Sequence, residues 1–99
     1  MNEDIQNILR SLIEDNENPE GCFGTIEPYV NANRSIELDY ESILDLLTEM
    51  VSAGQVELLL YQPKNGQFRR AAGESANMNS WYRVTPLGER DYVPSGSVA

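Results

Sequence analysis

A chain of 99 residues, 40% of them hydrophobic, is long enough to bury one core and too apolar to stay disordered throughout. With no histidine and one cysteine, Cys22, it excludes a Cys-rich zinc site, a disulfide within the chain and the His-activated nucleophiles. The net charge of −9 weighs against nucleic-acid binding, and it is unevenly placed: −11 over residues 1–63 against +3 over residues 64–90.

No apolar run approaches the ~20 residues that a bilayer span requires. The start, Met1-Asn2-Glu3-Asp4, lacks the basic and apolar parts of a secretory signal, so a cytoplasmic protein without membrane contact is expected. Ile5, Ile8, Leu9, Leu12 and Ile13 recur at helical spacing and predict a first helix from about Glu3 to Asp15, with Asn2 as its cap. The polar run from Asn16 to Gly21, containing Pro19, ends that helix. Gly21–Gly24 can contribute a brief strand. Thr25 then reads as the cap of a short second helix through Ile26, Pro28, Tyr29 and Val30, with Asn31–Ser35 as a turn.

The third helix has the clearest signature. Asp39 is a good cap, Leu38 can staple onto Ile43, and Ile43, Leu46, Leu47 and Met50 form a stripe to bury. Tyr40, Leu44 and Val51 widen that apolar arc, and Gly54 sits where a left-handed residue ends a helix. Beyond Gly54 the period changes. Val56, Leu58 and Leu60 alternate with Glu57, Leu59 and Tyr61 as in a strand, and Pro63-Lys64-Asn65-Gly66 is a turn. Gln67–Arg70 can return as a strand, Ala71–Asn79 is expected to be a mobile connection, and Trp81–Val84 is a further strand. Thr85-Pro86 reads as a cap followed by proline at the first helical position, opening a last helix to about Tyr92. Residues 1–92 thus form one domain, and residues 93–99 a frayed tail.

Helix, short helix, turn, longer helix and hairpin is the order of winged helix-turn-helix domains, which residues 3–92 resemble. The segment Ser42–Glu57 is similar to that family's recognition helix, with Met50, Leu47 and Ile43 lying four, seven and eleven positions before Gly54. Tyr82-Arg83-Val84-Thr85-Pro86-Leu87-Gly88 is similar to its last strand. The resemblance implies an α+β fold: a three-helix core, a two- or three-stranded antiparallel wing sheet and a short C-terminal helix. It also implies a third helix that reads the DNA major groove and a wing that crosses phosphates.

The residues on that helix point elsewhere. At 100° per residue, the side opposite Ile43, Leu47 and Met50 carries Glu41, Asp45 and Glu49, a row of carboxylates that phosphates would repel. Such rows are also ordinary solvated faces, and no twelve-residue calcium loop accompanies this one. In the wing, Lys64, Arg69 and Arg70 with Phe68, joined by Arg83, can contact a nucleic-acid backbone or simply keep a hairpin soluble. Leu59, Tyr61 and Trp81, if exposed together, make an apolar patch for a partner or a dimer mate; otherwise they cover the core or lie under the 71–79 connection. Cys22 reads as a small core residue, since no base is present to activate it.

No catalytic, cofactor-binding or metal-ligating set is predicted. The expected function is a non-enzymatic, regulatory protein-protein interaction module whose acidic third helix and apolar patch (Glu41, Asp45, Glu49, Leu59, Tyr61, Trp81) bind a partner or a second copy. The alternative is a transcription-regulator-like domain that contacts DNA through Lys64, Arg69, Arg70 and Arg83.

Overall fold

The structure, a computed structural model, describes residues 3–14, 20–32 and 34–93. In chain order it comprises α1 (Glu3–Ile13), β1 (Glu20–Cys22), α2 (Phe23–Asn31), α3 (Tyr40–Ser52), β2 (Val56–Gln62), β3 (Gln67–Arg70), β4 (Trp81–Val84) and α4 (Pro86–Asp91). The expected cap Asn2, most of the segment after α1 and the tail beyond Val93 lie outside the described residues.

The strands form one antiparallel sheet in the order β1-β4-β2-β3. Two features differ from the expected architecture. The sheet has four strands, and its first strand precedes α2 rather than following the helices. Both follow from pairing. Glu20, Gly21 and Cys22 lie opposite Arg83, Tyr82 and Trp81, and the hairpin return Gln67–Arg70 extends the opposite edge against β2.

Strand β1 also moves the start of α2. The chain stays extended to Cys22, and the Phe23 amide donates to the Ser80 carbonyl at 3.2 Å, so helix begins where the strand ends. Thr25 is therefore not the cap; it lies inside the first turn, where its hydroxyl donates to the Cys22 carbonyl at 2.9 Å. Pro28 lies past the first turn, so the exposed Gly24 carbonyl receives no helical hydrogen bond from it. Early helix formation places Phe23 on the same face as Ile26 and Val30, and all three are buried.

One core lies between the helices and one face of the sheet. Ile8, Leu9 and Leu12 of α1 meet Phe23, Ile26 and Val30 of α2 and Ile43, Leu47 and Met50 of α3, over Val56, Leu58 and Tyr82 of the sheet. Asn31 is not a plain turn residue. Buried at the end of α2, its side chain accepts from the Leu38 amide at 2.8 Å and donates to the Leu38 carbonyl at 3.2 Å, which closes the connection to α3. Ala71–Asn79 is likewise held: Glu74 accepts from Arg69 and from the Ala72 amide, Asn77 and Ser80 are hydrogen-bonded, and Ala71 and Ala76 pack on the core.

Candidate partner-binding surfaces

The acidic face of α3 is built by its cap and its buried stripe. The Asp39 carboxylate accepts from the Ser42 amide at 2.8 Å, which anchors the first turn, and the Ser42 hydroxyl together with that amide holds its pKa below the usual value. Ile43, Leu47 and Met50 are fully buried, so helical geometry turns Glu41, Asp45 and Glu49 outward, and all three are exposed. Successive members are about 6 Å apart along the axis. None of the three is hydrogen-bonded through its side chain or paired with a cation among the described residues. No group of three or more metal-ligating side chains gathers there or elsewhere among the described residues.

The N-terminal end of this face broadens into a groove that the sequence did not disclose. Tyr40, expected on the apolar arc of the helix, is instead 52% exposed, with its ring packed edge-on against Phe23 at 5.6 Å between centroids. Together with Leu38 it lines a groove of about 630 Å³ rimmed by Glu27, Glu37, Asp39 and Glu41. Nearby Ile36 is 78% exposed. The available signal was alternation: Ile36, Leu38 and Tyr40 interleave with Glu37, Asp39 and Glu41, and only the fold shows which set is covered.

The wing is electrostatically closed on itself. Glu57 receives Arg83 at 2.7 Å and Arg70 at 2.5 Å, and Arg69 pairs with Glu74 at 2.5 Å. The Arg83 hydrogen bond, with Arg70 beside it, holds the Glu57 carboxyl below its ordinary pKa despite partial burial. Arg69 and the Ala72 amide lower that of Glu74 to about 2. Of the four cations expected to face phosphates, only Lys64 is unpaired among the described residues. Sequence reasoning missed Glu57 as the hub, because its partners become neighbours only once the register sets Glu57 opposite Arg83 and Leu59 opposite Arg70.

Leu59, Tyr61 and Trp81 do share one sheet face, opposite the helices, but they do not form the open patch expected if all three were exposed. Leu59 is only 2% exposed, while Tyr61 is 48% exposed and Trp81 half-buried. The rings of Tyr61, Phe68 and Trp81 contact one another, with centroids 5.0–6.4 Å apart. Leu59 sits opposite Trp81 and diagonal to Phe68 in the ladder, so the aromatic rows flank it and exclude water. This cluster is a second, small hydrophobic layer with one open edge at Tyr61.

Cys22 is half-buried at the start of α2, its Sγ 3.7 Å from the Thr25 hydroxyl. Between α1 and the α2–α3 connection lies a cleft of about 500 Å³ whose charges largely compensate, Arg34 pairing with Asp4 at 2.8 Å. No helix among the described residues is long and apolar enough to cross a membrane. Compared with protein families, curated proteins and solved structures, the chain finds no match.

Proposed function

We propose that this domain is a non-enzymatic, winged-helix-type interaction module that receives a basic protein partner on the exposed face of α3. One observation carries the reading: Glu41, Asp45 and Glu49 are exposed without cationic partners among the described residues, while the wing arginines are neutralised within the chain. An unpaired row of like charge attracts its opposite at long range and raises association rates. The winged-helix part of the reading is supported by α1, α2 and α3 packed on one face of a sheet whose consecutive strands β1, β4 and β2 frame the wing. The added strand β3 and the Ala71–Asn79 connection enlarge that wing.

The test uses the whole chain as bait in native extract, beside a variant carrying Glu41→Gln, Asp45→Asn and Glu49→Gln. Retention of a basic protein by the wild type, weakened roughly tenfold in the variant and by added salt, is expected. Equal retention by both baits sinks the proposal. Light scattering on the same samples separates a protein partner from a homodimer.

The DNA-binding alternative rests on the same winged-helix resemblance and on Lys64. Phosphates would have to displace Glu57 and Glu74 from three arginines, which weakens it. Binding of mixed-sequence DNA at low salt, lost in an Arg69→Ala, Arg70→Ala variant, would favour it over the acidic face.

A further inference from the structure

We propose that the groove between α2 and the start of α3 is the anchoring pocket of that interface, and that it takes a partner segment in which an apolar side chain is flanked by Lys or Arg. This rests on the proposed basic partner and adds where its apolar anchor sits. The floor is Leu38 and the Tyr40 ring, and the rim is Glu27, Glu37, Asp39 and Glu41. Both parts are already in place. The Tyr40 ring stands at 87° to buried Phe23, the Asn31 amide grips both backbone groups of Leu38, and Asn31 also donates to Glu27 at 3.2 Å. A surface whose side chains are fixed before binding loses little conformational freedom when a ligand arrives.

Charge selects the occupant. The rim is acidic on both sides and continues through Glu41 into the α3 row, so one partner segment can set an apolar residue on Tyr40 and lay its cations along the helix. Arg34, the nearest cation in sequence, is engaged by Asp4 and the Ile36 carbonyl. A second copy of this chain is a poor occupant, because its net charge of −9 repels and its wing arginines are already paired. Aromatic faces attract guanidinium and ammonium groups as well as apolar ones, so Tyr40 suits the anchor and its basic flank alike.

A synthetic peptide tests this, with Leu and Phe on one helical face and Lys and Arg beside them. Its control is an isomer of equal composition in which the apolar residues form no face. Titration calorimetry and amide NMR shifts are read on the full chain. The amphipathic peptide is expected to bind roughly tenfold more tightly than its isomer and to shift Glu27 and Ile36–Glu41. Tyr40→Ala and, independently, the exposed-site reversal Glu37→Lys are each expected to weaken it about tenfold, with Met78→Ser unchanged. No binding, equal affinity for the two isomers, or affinity insensitive to both groove variants overturns the groove; so does a dimer that Tyr40→Ala dissolves. If Asp45→Asn with Glu49→Gln, which leaves the groove rim intact, alone abolishes binding, the groove fails and the acidic face stands. If the groove variants alone do so, the α3 row fails instead.

Discussion

Tyr82 is fully buried in the centre of the sheet, and burial pushes its pKa up to about 12 against a smaller opposing hydrogen bond with Ser80. A phenol whose folded pKa is raised favours folding below the unfolded value near 10 and loses that contribution as pH climbs toward 12. Ultraviolet titration is therefore expected to show Tyr82 ionising late, together with unfolding. Tyr82→Phe should remove that late step and leave neutral-pH stability unchanged within about 1 kcal/mol, since a single neutral hydrogen bond such as that with Ser80 contributes little net. A late step that persists in Tyr82→Phe would reassign it. Gly88 is as sharply determined. A Cβ there would run into the Gln55 carbonyl oxygen and crowd Val84, so Gly88→Ala should cost roughly 3 kcal/mol in denaturant unfolding. A loss below about 1 kcal/mol would mean that the α4–β2 approach relaxes easily.

Single elements show how local signals meet packing. The caps of α3 and α4 were legible because an Asp or Thr before a helix needs only its own next turn: Asp39 accepts from the Ser42 amide at 2.8 Å, and Thr85 from the Gly88 amide at 3.1 Å. Thr85→Ala should cost about 1 kcal/mol. The Thr85 hydroxyl also donates to the Gly54 carbonyl, which joins α4 to the end of α3, so the loss should extend to both helices in hydrogen exchange. The start of α2 was not legible, because it depends on β1 pairing with a strand about sixty residues later. In the wing, Glu57 and Glu74 have lowered pKa values, so their contribution is complete above the ordinary carboxylate pKa near 4.5. It is lost as pH falls toward the lowered values, about 2 for Glu74. Glu57→Gln should flatten the fall of melting temperature between neutral and acid pH and leave Arg70 and Arg83 uncompensated, with stronger retention on a phosphate resin as the second readout. An unchanged acid slope would place that sensitivity elsewhere.

At the scale of the molecule, the acids of α3 and of the α2–α3 connection are mostly unpaired among the described residues, while the arginines of the wing are consumed. With a net charge of −9, self-repulsion should exceed the few exposed ion pairs, each worth at most about 1 kcal/mol. Added salt is therefore expected to raise the melting temperature by a few degrees. A fall would mean that the wing pairs dominate.

The sequence by itself determined the apolar stripes of α1 and α3, the caps at Asp39 and Thr85, the left-handed Gly54 and the outward direction of Glu41, Asp45 and Glu49. Each of these depends on spacing within one element, and helical or strand period converts spacing directly into a face. Tertiary structure alone decided that Leu59 is covered while Tyr40 is open, that Glu57 takes up two arginines, and where β1 and β3 pair in the sheet. Those outcomes are set by register and by contacts between segments far apart in the chain, where a pattern of residue types holds no distance information.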